Sequence, residues 1–405
     1  MIIKIEKTAM LSIIYLLWLW WSTGTATILV KARTDSLKPG DTMDLSLNSF
    51  DLYSKQGKYY LGLTIFFGNT EDRYLSIFSS AGGRNNVVWV YDRNHPIKSD
   101  SAVLSLDYTG VLKIESQNSK PKIIYSSPQP TNNTVATMLD TGNFVLQQLH
   151  PNGTKSFLWE SFDYTTDTLL PTMKLGVNHK TRHNWSLVSV FTISLIISGE
   201  FSLEWEPKEG ELNIKNRGKV YWKSGKLRSN GLFENIPEDV QHGYRYVIVS
   251  NMDEDSFAFE TNFTNFTGWA LLHTGELWSN KGDIANADMC YGYNSNGGCQ
   301  KWEDIPTCRE PGEVFQTKIG IPDYDNATFE ADASYGYNDC KASCWRNCNC
   351  TGFQEYYRNG TGCIFYSRNF TKDLNFGDSG NFHVLVKPIK AASTATHGKL
   401  YMFKC

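Results

Sequence analysis

The chain has 405 residues, 39 Lys+Arg against 42 Asp+Glu, and a formal net charge of −3. That length suggests several domains with ample core. The near-neutral balance argues against nucleic-acid or anionic-membrane binding, which needs a basic patch. An aromatic share of 14 % and 32 glycines exclude a disordered chain and favour β structure.

Lys4 and Lys7 precede an apolar run from Met10 to Trp21, and small or polar residues follow as far as Ala26. The pattern predicts a secretory signal over 1–26, since the run falls short of the roughly 20 residues of a spanning helix. Nine N-x-S/T sequons agree with secretion. They start at Asn132, Asn152, Asn184, Asn262, Asn265, Asn326, Asn349, Asn359 and Asn369, and an acceptor sequon calls for a surface turn.

From residue 27 to about 150 short apolar stretches alternate with turn signals. Tyr59–Phe67, Val87–Tyr91, Ala102–Leu106 and Phe144–Gln147 read as strands. Leu106-Asp107-Tyr108-Thr109-Gly110-Val111-Leu112 resembles Leu139-Asp140-Thr141-Gly142-Asn143-Phe144-Val145, with the glycines 32 apart. Each unit is a polar turn entering an apolar strand, as in a fold made of similar hairpin sheets. All nine cysteines lie at or beyond residue 290: Cys290, Cys299, Cys308, Cys340, Cys344, Cys348, Cys350, Cys363 and Cys405. A small C-terminal module stapled by disulfides is the expectation. Cys340 and Cys344, four apart, share one helix face. Cys405 is the odd thiol. Zinc is the other reading of Cys-x3-Cys beside Cys-x-Cys, but the nearest His is His383, and disulfides suit a secreted chain.

Several stretches resemble one family. "VVWVYDRNHPI" (87–97), "MLDTGNFVL" (138–146) and "LWESFDYTTDTLLPTMKLG" (158–176) are similar to the bulb-type lectin domain of plant G-type lectin S-receptor-like serine/threonine-protein kinases. "LEWEPKEGELNIKNRGKVYWKSGKL" (203–227) and "GLFENIPE" (231–238) resemble their S-locus glycoprotein domain. "DCKASCWRNCNC" (339–350) and "GTGCIFYS" (360–367) resemble a PAN/apple module.

The resemblance implies an all-β dominated chain: a β-prism II bulb-type lectin domain at 27–155, a linker and β-rich S-locus glycoprotein domain at 156–289, and a small disulfide-bonded α+β PAN/apple domain at 312–389. A reduced Cys-containing linker (290–311) would replace an EGF-like module, and 390–405 would be a tail. It implies the bridges Cys340–Cys363 and Cys344–Cys350, with Cys348 pairing upstream to Cys308 or another of the 290–308 group. It implies an extracellular glycan or peptide/protein ligand, homo- or hetero-dimerisation with related receptor kinases, and no cofactor or metal.

Lectins of this type hold mannose through Gln-x-Asp-x-Asn-x-Val-x-Tyr, with polar side chains on alternate positions facing the sugar. Here Leu139, Thr141, Asn143, Val145 and Gln147 stand in those places. Thr141, Asn143 and Val145 are the degenerate sugar-binding candidates. The other repeat gives Asp107, Thr109, Val111, Lys113 and Glu115, with no match.

Asp140-Thr141-Gly142 and Asp378-Ser379-Gly380 mimic the paired loops of aspartic proteases but read as hairpin turns. Asp323-x-Asp325 lacks the glycine of a calcium loop. Kinase motifs do not occur in the chain. The sequence therefore reads as a receptor-kinase ectodomain that stops before the membrane helix and kinase, non-catalytic by itself, acting as a secreted binder or decoy. A free-standing mannose-type defence lectin is the alternative. The stretch 189–198, "SVFTISLIIS", departs from the Trp, Ser and Pro-containing segment that the resemblance implies there.

Overall fold

A computed structural model describes residues 34–387 apart from 46–51, 67–71, 82–85, 99–100, 118, 264–266, 321–323, 325–326 and 368–379. The expected leader, the sequons at Asn265, Asn326 and Asn369, the acidic pair Asp323 and Asp325, Asp378, and Cys405 lie outside the described residues.

Three four-stranded antiparallel sheets form the first body. One runs in chain order through Leu52–Tyr53, Tyr59–Thr64, Tyr74–Ser79 and Val87–Val90. The second joins Thr42–Asp44 to Ala102–Leu106, Leu112–Ser116 and Lys122–Tyr125. The third joins Ser36–Leu37 to Thr134–Met138, Phe144–Leu149 and Lys155–Glu160. The sheets turn Leu61, Ile77, Leu104, Leu112, Ala136 and Phe144 into a common core, each at 2 % exposure or less. Burial alternates along Thr134–Met138, as period-2 side-chain direction requires of a strand with one face inward. This is the β-prism arrangement expected for the lectin part.

The next stretch builds a second set of three four-stranded sheets. Leu187–Val190, Ser198–Glu206, Glu211–Asn216 and Lys219–Lys223 follow chain order. His183–Trp185 and Leu175–Asn178 pair with Glu254–Thr261 and Tyr244–Ser250. Thr168–Leu169 edges a sheet with Trp269–Leu271, Glu276–Ser279 and Gly282–Asn286. Trp269 is fully buried and stacks on Phe259 at 4.7 Å between ring centroids. One continuous apolar cluster runs through both prisms, from Leu37 to Cys290.

The glycine repeat is a structural one, with more members than the sequence displayed. Gly110 and Gly142 have φ of +84° and +88°, and each donates its N–H three residues back, to Asp107 and Leu139. Gly57 and Gly275 make the same turn, donating to Ser54 and Leu272. Positive φ costs an L-residue about 1–2 kcal/mol, which is why glycine holds these corners.

The C-terminal module is a five-stranded antiparallel sheet in the order Val314–Gly320, Gly380–Val386, Cys350–Glu355, Cys363–Ser367, Ala327–Glu330. The helix Tyr337–Arg346 packs on its central strands. Asp339 accepts from the Gly336 N–H at 3.0 Å and closes the helix start. Bridges join Cys340 to Cys363, Cys344 to Cys350, Cys308 to Cys348 and Cys290 to Cys299. Two therefore tie the helix to the sheet, and Cys308–Cys348 ties the connector to it. The Arg309 guanidinium, 8 % exposed, donates to the carbonyls of Trp345, Cys344, Asn347 and Cys350 at 2.7–3.1 Å.

Candidate functional site

The degenerate sugar positions sit on the third sheet of the first prism, at the turn 139–142 and the strand Phe144–Leu149. Thr141 is exposed at the turn and its hydroxyl accepts from the Asn143 N–H at 3.4 Å. Asn143 is only 6 % exposed. Its amide donates to Glu160 Oε2 at 2.7 Å, while its carbonyl oxygen accepts from Ser161 Oγ at 3.0 Å and the Phe162 N–H at 3.2 Å. Val145 is completely buried. The three candidates thus do not converge on an open surface. The Asn143 side chain is held instead by Glu160, at the end of its strand, and by Ser161 and Phe162 just beyond it. Burial and nearby Asp163 raise the Glu160 carboxyl above its ordinary range, against the hydrogen bond from Asn143.

The neighbouring turns are also committed internally. Asp107 Oδ1 accepts from the Thr109 N–H and hydroxyl and from the Val111 N–H at 2.6–3.0 Å. Burial works against its ionised form, yet those hydrogen bonds hold its carboxyl below the usual value. Asp140 Oδ1 accepts from the Gln56 N–H at 2.7 Å and so laces the third sheet to the first. On the second sheet Lys113 and Ser105 both donate to Glu115, at 2.9 Å each. Among the described residues no group of His, Cys, Asp and Glu is placed to hold a metal ion.

Aromatic groups concentrate where the prisms join. The Trp89 indole donates to the Tyr164 carbonyl at 2.6 Å, and Trp159 stacks on Tyr164 at 5.7 Å. Tyr164, His183 and Trp185 continue the contact at 6.0 and 5.6 Å, and the Trp185 indole donates to Asp163 at 2.9 Å. Trp159 and Tyr164 belong to the 158–176 stretch that carried the lectin resemblance.

Two cavities flank the junction of the second prism with the C-terminal module. One of about 530 Å3 is polar, lined by His273, Glu276, Asp288, Glu355 and His383 among others. Burial lowers the His273 imidazole, opposed by Glu355 and Asp288. The other, about 190 Å3, has aromatic walls and is lined from five separate stretches of chain. Sequence reading missed it, since no local spacing connects Tyr221, Trp302 and Trp345. Among described sequons, Asn132, Asn152, Asn184, Asn262 and Asn349 are exposed and Asn359 is half-buried.

Residues 86–190 match the D-mannose binding lectin family and residues 308–372 the PAN-like domain family. A G-type lectin S-receptor-like serine/threonine-protein kinase of Arabidopsis thaliana is 30% identical over 74% of this chain and 37% of its own length. A second such kinase of Arabidopsis is 27% identical over 81% of this chain and 44% of its own length. An S-locus-specific glycoprotein of Brassica oleracea var. alboglabra is 26% identical over 89% of this chain and 93% of its own length. The chain is a homologue of the G-type lectin S-receptor-like kinases and S-locus glycoproteins. It spans less than half the length of those kinases, and the stretches matched are a lectin and a PAN-like module, not a kinase. No helix among the described residues is long and apolar enough to cross a membrane.

Proposed function

We propose that this chain is an extracellular ligand-recognition region of the S-domain lectin type, working as a secreted binder or as a decoy that pairs with related receptor kinases. The observation that carries the reading is the order of its parts: a lectin match, then a PAN-like match, in a chain that aligns with nearly the whole of an S-locus glycoprotein. The four bridges support an oxidising compartment, hence secretion. The limits 27–155, 156–289, 290–311 and 312–389 are proposed for lectin, S-locus, linker and PAN domains. All nine sequons, from Asn132 to Asn369, are proposed as glycan acceptors. The proposed ligand is an extracellular glycan or a peptide or protein.

Pull-down of a full-length related receptor kinase by the purified chain tests the decoy reading. Co-purification is expected, and its absence at micromolar concentration sinks pairing. Calorimetry with mannose tests the defence-lectin alternative, which the lectin match favours. Weak or no heat is expected because the Asn143 side chain is buried and already bonded to Glu160, Ser161 and Phe162. Tight binding at Thr141, Asn143 and Val145 would require the connector to release it.

A further inference from the structure

We propose that the 190 Å3 cavity between the second prism and the C-terminal helix binds one uronic acid residue of an acidic oligosaccharide. The volume lies below the roughly 300–1,000 Å3 of sites for drug-sized molecules, so it suits a single ring. Its walls are aromatic. Tyr221 meets Trp302 at 4.8 Å and Phe201 edge-on at 6.0 Å, and Tyr291 meets Trp345 at 4.8 Å. Such walls take the C–H face of a sugar ring, while the lining amides of Asn216 and Asn338 and the Asp304 carboxylate offer partners to hydroxyls.

Charge selects an acidic ring. The lining cations are Lys219, Lys341 and Arg346. Lys341 is consumed, since its ammonium pairs with Asp288 and lies 4.5 Å from the Tyr291 ring centre. Lys219 pairs with Asp304 at 3.4 Å. The side chain of Arg346, exposed at the end of the helix, has no ion pair or hydrogen bond among the described residues. The site therefore carries one uncompensated positive charge. A guanidinium presents a planar fork that matches one carboxylate with two N–H···O bonds. None of Thr141, Asn143 and Val145 lines this cavity, so the site is separate from the lectin strand.

Isothermal titration of the purified, folded chain with trigalacturonate, and with its neutral methyl ester, tests the assignment. Saturable binding of the acid is expected, with the ester weaker by about tenfold or more. Arg346→Ala should abolish the difference between acid and ester, and Tyr221→Ser should weaken both. Arg346 is at the surface, so unchanged thermal unfolding of R346A will show that the fold is intact. No saturable binding, equal affinity for acid and ester, or an unaltered preference in R346A would overturn the proposal. So would full competition by an acidic peptide such as hexaglutamate, which would reassign the site to proteins. None of these results bears on pairing with receptor kinases, which is read by pull-down alone.

Discussion

The two prisms and the C-terminal module solve the same problem by different means. Residues 34–289 contain no cysteine and close around one continuous apolar cluster that starts at Leu37 and takes in a single bridge, Cys290–Cys299, at its far end. The C-terminal module has a cluster of Tyr291, Phe315, Tyr337, Trp345, Phe353 and four half-cystines, with a second small patch at Ile364, Tyr366 and Phe382. A core that small cannot offset the entropy of ordering a helix and five strands. Cross-links that restrict the unfolded chain, and one arginine that gathers four carbonyls, take over that role. Core size, rather than fold type, decides where covalent staples appear.

Two variants separate the mechanisms. Trp269→Ala in the second prism opens a cavity beneath Phe259 and should cost about 3–5 kcal/mol. Because the apolar cluster is shared, calorimetry should show both prisms unfolding together at lower temperature. Replacing Cys340 and Cys363 together by serine should cost about 2–4 kcal/mol, confined to the C-terminal module. Dithiothreitol should lower that transition and leave the prisms in place. A reductant-induced collapse of the prism transition would break the comparison, since it would show the body leaning on the bridges.

A finer test lies within the first prism. Gly142 and Gly57 hold equivalent corners, but a Cβ on Gly142 would lie 2.7 Å from Leu170 Cδ1 and 3.1 Å from Tyr59, whereas one on Gly57 meets nothing within 4 Å. Gly57→Ala should therefore cost only the backbone penalty of about 1–2 kcal/mol, and Gly142→Ala clearly more. Urea midpoints of the two variants would read the difference. Equal midpoints would mean that Leu170 yields freely and that the prism junction is softer than its burial implies.

Much of this architecture was legible in the sequence because it has short-range causes. Strands at Val87–Val90 and Ala102–Leu106 announce themselves through apolar runs bounded by turn residues, and Gly110 and Gly142 through a shared Thr-Gly turn. The i, i+4 spacing of Cys340 and Cys344 reads as one helix face, and Tyr337–Arg346 is that helix. The corner at Gly275 was hidden, since His273 stands where the Gly142 corner has Asp140. The fate of Asn143 was hidden for another reason. Its motif position predicts a side chain that faces solvent, but Glu160 at the end of the neighbouring strand and Ser161 in the turn after it reach across to it, and no local spacing reveals that. The 190 Å3 cavity was illegible because its walls come from distant stretches that only the docked C-terminal module brings together.

The contact between the two regions supplies the smallest effect and the sharpest sign. Arg217 of the second prism donates to Glu200 at 2.9 Å and reaches Asp339 on the C-terminal helix at 2.8 Å. One guanidinium serves two carboxylates. Burial first, then the adjoining Asp339, push the Glu200 carboxyl up to about 8. The native state therefore keeps a proton that the unfolded chain releases near its ordinary value of 4.5. This contribution to stability is complete below that pH and is lost as pH climbs toward 8. Glu200→Gln keeps the hydrogen bond to Arg217 without the titration. The variant should unfold at a temperature roughly 1–2 °C higher relative to wild type at pH 8 than at pH 5. An identical pH slope in both proteins would mean that Glu200 is ionised in the native state, with Arg217 compensating both carboxylates. The junction would then be an ordinary ion-pair triad rather than a proton-holding one.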